Sequence, residues 1–216
     1  MSQAPHVLRG ARDGYRLGNS PTLEDSLMTA LMDPYCGFYM AQTAENLAKK
    51  HAIPRGAQDE YALRSHQLGT KAVQSGLFKE EIVPVTVKAG KGERVIEIDD
   101  HIKPDTSLAA LSSLRPAFGK DGTVTAGNAS GIVDAGAAVI LASKRAAAAK
   151  GKKPLARIVG WGIAGVPPEI MGIGPVPAIR KVLERTGVKL AAIDRFEINE
   201  AFAAQYLACE KELGLD

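Results

Sequence analysis

The sequence predicts an α/β chain: an irregular α+β region up to about residue 120, then a layered α/β core. Three observations carry this. From Thr123 onward short apolar runs alternate with helix-patterned segments, the signature of packed helix and strand layers. Before it, Val/Ile-rich runs flank Lys88-Ala89-Gly90-Lys91-Gly92, which reads as a hairpin. The apolar fraction of 45% with 24% charge is that of an ordinary globular chain, so disorder is not expected.

The first forty residues are broken by Gly10, Gly14, Gly18, Pro21, Pro34 and Gly37, and read as loop with a short helix near 23–32. Helices are predicted at 43–50 and 56–75; the second has Pro54 near its start, Asp59 and Glu60 in its first turns and Gly76 after its last. Tyr61, Leu68 and Val73 are expected among its apolar anchors. Ile82, Val83, Val85 and Val87 form one hairpin arm, and Val95, Ile96 and Ile98 the other. Residues 99–120 return to polar loop. Strands are then predicted at 123–125, 137–141, 155–161 and 195–198, interleaved with helices at 143–150, 176–185 and 202–213.

Composition narrows the function classes. The net charge of +3 is small and the Lys and Arg are scattered apart from Lys150-Gly151-Lys152-Lys153, which argues against nucleic acid as a partner. The apolar stretch 136–142 is too short to span a bilayer, and the first residues have neither a signal-peptide nor a transit-peptide pattern. Only Cys36 and Cys209 are present, without zinc spacing, so no metal is expected and a reducing compartment is the default.

Two segments carry the chemistry. Thr123-Val124-Thr125-Ala126-Gly127-Asn128-Ala129-Ser130-Gly131 turns a strand-like run into Gly-rich backbone, and Asn199-Glu200-Ala201-Phe202-Ala203-Ala204 closes a second such run and opens a helix. Each sets a small polar side chain, Ser130 or Asn199, on a turn that a substrate could approach closely. Together with Met1-Ser2-Gln3-Ala4-Pro5, Met40-Ala41-Gln42-Thr43-Ala44-Glu45-Asn46, Leu114-Arg115-Pro116-Ala117-Phe118 and Met171-Gly172-Ile173-Gly174-Pro175-Val176-Pro177, these stretches resemble thiolases from end to end.

The resemblance implies a thiolase-like layered αβαβα fold, present in part, with an inserted loop subdomain that covers coenzyme A. On that template residues 1–119 are the loop subdomain, 120–150 the end of the N-terminal half and 151–216 the start of the C-terminal half. It implies an acyltransferase that cleaves 3-ketoacyl-CoA with CoA, as in fatty-acid β-oxidation, with CoA as substrate and no permanently bound cofactor. Asn199 is then the catalytic amide that holds a water at the enolate oxyanion; the residues alone equally allow it to cap the following helix. Ser130 matches a pantetheine contact, against an ordinary Ser in a turn. Phe118, Met40, Met171 and Phe202 match tunnel wall, against plain core packing. Lys103 stands where a basic side chain meets the CoA phosphates, against a solvated loop Lys.

Departures matter too. Where acetoacetyl-type biosynthetic thiolases have His-Met-Gly, this chain has Tyr39-Met40-Ala41, which favours the degradative 3-ketoacyl-CoA thiolases. An acetoacetyl-CoA-forming enzyme and a CoA-binding module without chemistry are the alternatives. The thiolase nucleophile and the Gly-His-Pro setting of its catalytic His are not found here: Cys36 lies in a turn, Cys209 within a helix beside Glu210, and His6, His51, His66 and His101 lack that context. The 216 residues are therefore expected to be an inactive internal part of a longer, oligomeric enzyme of the mitochondrial matrix or bacterial cytoplasm. His51 and His66 read as exposed helix residues.

Overall fold

The first sixty residues of the chain alternate short pairings with capped helices. A computed structural model describes residues 1–215. Strand β1 (His6–Leu8) pairs antiparallel with β2 (Leu23–Asp25), His6 opposite Asp25. Helix α1 (Ser26–Ala30) follows, its first turn held by the Asp25 carboxylate, which accepts from Leu27 N at 2.9 Å. In α2 (Met40–Lys50) Gln42 Oε1 reaches back to accept from Tyr39 N at 2.8 Å, fixing the N-terminus three residues earlier than the sequence predicts. Its buried Ala41, Ala44, Leu47 and Ala48 recur at helical spacing and form one stripe.

Helix α3 (Arg55–Gln74) departs from its expected pattern. Leu68 faces outward, and the buried face carries Gln58, Asp59 and Ala62. The charge is tolerated because Asp59 is fully paired: Arg55 Nε donates to Oδ2 at 2.7 Å and Asn128 Nδ2 to Oδ1 at 2.9 Å. The hairpin forms as predicted, β3 (Val85–Ala89) against β4 (Gly92–Ile96). Gly90 takes φ +61° at the first of the two turn residues, where a primed hairpin turn requires φ above zero.

Beyond it come α4 (Leu108–Ser112) and α5 (Lys144–Ala149), each N-capped by a serine hydroxyl, Ser107 and Ser143, at 3.2 Å. A 3-10 segment, Pro168–Ile173, leads into α6 (Pro175–Thr186), and α7 (Ala203–Leu213) closes the chain against Gly214. The main core lies between α2 and α7: Leu47, Ala44, Ala204, Ala208 and Val124 meet there, with Phe118, Ile173 and Phe202 packed on its rim. Val176, Cys209 and Leu213 form a second cluster between α6 and α7.

The strands expected at 123–125, 137–141, 155–161 and 195–198 have no ladder partners among the described residues; beside the two pairs above, only the bridges Met32 to Tyr39 and Ala129 to Phe202 occur. A strand exists only against a neighbour, and a local pattern does not supply one. Val139 and Ile140 are accordingly 87% and 95% exposed. Val124 and Thr125 are buried all the same, because side chains replace the missing ladder. The Glu45 carboxylate accepts from Thr123 N and Val124 N, each at 2.7 Å, and from Thr123 Oγ1 at 2.8 Å. Asn128 Oδ1 accepts from Thr125 N at 2.8 Å, while its amide donates to Thr123 O at 3.0 Å.

Asn128→Ala removes three side-chain hydrogen bonds, one of them half the pairing of a buried Asp59, so it should cost about 2–3 kcal/mol in urea unfolding of the chain. A loss below about 0.5 kcal/mol would contradict this account of the loop. Cysteine chemistry gives an independent check. Cys209 is fully buried and donates to Gly172 O at 3.3 Å, and burial pushes its thiol pKa up. Iodoacetamide at neutral pH should label the half-buried Cys36 and spare Cys209 until denaturant is added.

Candidate functional site

The two motif segments meet. The backbone of 128–130 lies against 201–203 through the Ala129–Phe202 bridge, with Ser130 N donating to Ala201 O at 3.0 Å and Ala203 N to Asn128 O at 2.9 Å. The second bond satisfies a free donor of the first turn of α7. No side chain caps that helix: its N-cap is Phe202, so the cap role open to Asn199 is not taken up, and Asn199 stands exposed three residues ahead. Ser130 Oγ donates to Ala201 O at 3.1 Å, which leaves its lone pairs for an incoming N–H.

A cleft of about 290 Å³ opens beside this seam, lined by Tyr61, Ser65, His66, His101, Ser130 and Glu200. Of these, sequence reasoning singled out only Ser130 as a site residue. Glu200 is held by the Tyr61 hydroxyl and Ser65 Oγ, at 2.5 and 2.6 Å. Burial and the Glu200 carboxylate push the Tyr61 phenol pKa far up. His66, expected to be exposed, is half-buried instead: its Nδ1 accepts from Lys103 N at 3.2 Å, and burial, with His101 nearby, lowers its pKa. His101 Nε2 accepts from Gly131 N at 3.2 Å. A face of hydroxyls and imidazole at four-to-five residue spacing, Tyr61, Ser65 and His66, was the available signal.

Both loop glycines serve packing here. A Cβ on Gly127 would fall 2.5 Å from Leu111 Cδ2 and 2.6 Å from Leu114 Cδ1, and one on Gly131 would strike the His101 ring. Each therefore admits protein, where the sequence suggested room for a ligand.

The other predicted residues are spread around the core. Met40 opens α2 and is half-buried. Phe118 packs on the Tyr39 ring, centroids 5.9 Å apart, and lines a separate groove of about 610 Å³ with Glu45 and Lys49. Phe202 packs on the main core next to the seam. Met171, in the 3-10 segment, is 42% exposed and lines neither cavity. Lys103 is exposed and turns its ammonium onto Asp100 O, 2.9 Å away. Among the described residues no group of His, Cys, Asp and Glu is arranged to hold a metal ion, and no helix is long and apolar enough to cross a membrane.

Known proteins give this arrangement a context. Residues 1–145 match the family model of the thiolase N-terminal domain, and residues 152–216 that of the thiolase C-terminal domain. All of this chain aligns with human mitochondrial 3-ketoacyl-CoA thiolase at 50% identity over 216 residues, and with a beta-ketothiolase of Cupriavidus necator at 48% over 217, covering 54% and 55% of those proteins. Among solved structures, human mitochondrial 3-ketoacyl-CoA thiolase in complex with CoA superposes with a TM-score of 0.95 at 49% identity, over 100% of this chain and 53% of that one. The acetyl-CoA acetyltransferase of Bacillus anthracis gives 0.94 at 51% identity, over 98% of this chain and 54% of that one. The chain spans about half the length of the relatives it matches. On sequence and on fold, this chain belongs to the thiolase family.

Proposed function

We propose that this chain serves an acetyl-CoA C-acyltransferase that cleaves 3-ketoacyl-CoA with CoA in fatty-acid β-oxidation. The observation that supports it most is the seam, where the Asn199 turn and the Ser130 loop are hydrogen-bonded together on a chain matched end to end by thiolases. In the reaction a thiolate adds to the 3-keto carbon, the C2–C3 bond breaks, and the electron pair passes to the thioester as an enolate. Protonation at C2 gives acetyl-CoA, and a second CoA thiol removes the shortened acyl group. Asn199 holds the water that stabilises the enolate oxygen, and Ser130 Oγ accepts from a pantetheine amide. Phe118, Met40, Met171 and Phe202 form tunnel wall, and Lys103 meets the CoA phosphates once its ammonium leaves Asp100 O. The Tyr39-Met40-Ala41 sequence, with the Tyr39 ring filling space beside Phe118, supports the degradative direction.

In this reading residues 1–119 cover the CoA, 120–150 end the first half and 151–216 begin the second, within a homo-oligomer of the mitochondrial matrix or a bacterial cytoplasm. The thiolate comes from outside these residues. Cys209 is buried on Gly172 O, and Cys36 sits in a turn with its own backbone N bonded to Asp33.

The test is a chimaera in which this chain replaces its aligned segment of the human mitochondrial enzyme. Asn199→Ala should lower kcat about a hundredfold with the KM for CoA within a few-fold, and leave the melting temperature unchanged because Asn199 caps nothing. Ser130→Ala should act mainly on KM. Full kcat in the Asn199→Ala chimaera would overturn the assignment. The 216-residue chain alone, given acetoacetyl-CoA and CoA, should consume enolate absorbance no faster than a boiled control; turnover above that would show a nucleophile this account lacks.

A further inference from the structure

The reaction as described has no use for Glu200, yet both of its carboxylate oxygens are occupied. The Tyr61 hydroxyl donates to one at 2.5 Å and Ser65 Oγ to the other at 2.6 Å, short distances of the kind expected for hydroxyls on an ionised carboxylate. The two donors are four residues apart on α3 and so stand one turn above the other on a single face. Tyr61 is itself held, its ring stacked on that of Tyr206 from α7 with centroids 4.5 Å apart. Its phenol stays protonated far beyond neutral pH, driven up first by burial and then by Glu200, so the donor is always present.

On the N-terminal side of Asn199 the support is apolar: residues 193–198 make no ladder pairing among the described residues, but Ile198 packs on the Val176, Cys209 and Leu213 cluster. The polar bonds of the turn lie on its C-terminal side, Glu200 on α3 and Ala201 and Phe202 on the Ser130 loop. Those bonds orient the residue next to the Asn199 amide. We infer that Glu200, clasped by Tyr61 and Ser65, is the positioning residue that aims Asn199 at its oxyanion water. This rests on the reading of Asn199 above.

Two readouts test it. Hydrogen exchange of the peptide covering 196–203 in the full chain reports the clasp directly, and Glu200→Ala should speed it. In the chimaera the same substitution should lower kcat about tenfold with the KM for CoA within about twofold, the signature of a displaced transition-state contact. Glu200→Gln keeps one accepting oxygen and should recover part of the loss. The double variant Tyr61→Phe, Ser65→Ala should reproduce the loss with Glu200 in place, and it decides the matter if Glu200→Ala does not fold. On an Asn199→Ala background, Glu200→Ala should cost no further kcat. If Glu200→Ala keeps full kcat while Asn199→Ala loses it, the inference fails and the reading of Asn199 stands. Equal falls in both backgrounds would make Glu200 mere scaffold and overturn the inference. Full kcat in Asn199→Ala would overturn both.

Discussion

Everything near the seam depends on one buried ionic arrangement, Arg55–Asp59–Asn128. Asp59 is 1% exposed, so its charge is affordable only while Arg55 and Asn128 both bond to it. Asn128 then spends its remaining groups on Thr125 N and Thr123 O, and its backbone carbonyl on Ala203 N at the start of α7. One residue thus ties α3, the Gly-rich loop and α7. Arg55 extends the tie, donating to Leu111 O and Leu114 O and holding α4 over the face that Gly127 leaves bare.

Glu45 does for the other end of the loop what a neighbouring strand would ordinarily do. An extended segment must place its backbone donors, and here those of Thr123 and Val124 go to one carboxylate on α2. The stretch is also tied to the loop before it by a backbone bond from Ala117 N to Val124 O. Burial of Val124 at the α2–α7 core follows from this, and with it the position of Phe118 at the rim. The polar anchors and the apolar core are two descriptions of one placement: the first fixes direction, the second supplies most of the free energy.

The same logic separates the firm parts of the site from the open ones. Ser130, Glu200, Asn199 and Lys103 are all exposed, but Ser130 is bonded to Ala201 and Glu200 to α3, whereas Asn199 has no side-chain bond among the described residues and Lys103 turns its ammonium onto its own loop. The roles proposed for Asn199 and Lys103, binding a water and a phosphate, both need a polar group open to a ligand. Their neighbours need the opposite. The imidazoles of His66 and His101 belong to the held set, each accepting a backbone N–H across the cleft.

Helices α2, α3, α6 and α7 were legible in the residues, with ends displaced by three residues at most, because caps and apolar stripes act within a few positions. The hairpin at Gly90 was legible for the same reason, and the Ser130 and Asn199 motifs were recognisable as turns. Pairing was not. β1 and β2 escaped notice, and four apolar runs with good strand composition have no ladder partner among the described residues, since a ladder depends on residues remote in sequence. The buried face of α3 was misjudged because Asp59 is stable there only against Asn128, which no local pattern on α3 can announce. Sequence alone determined which side chains stood on turns and which family they resemble. Tertiary structure alone decided that the two turns share a seam, that Phe202 and not Asn199 begins α7, and that Glu200 is clasped by α3, because each of these is a bond between residues far apart along the chain.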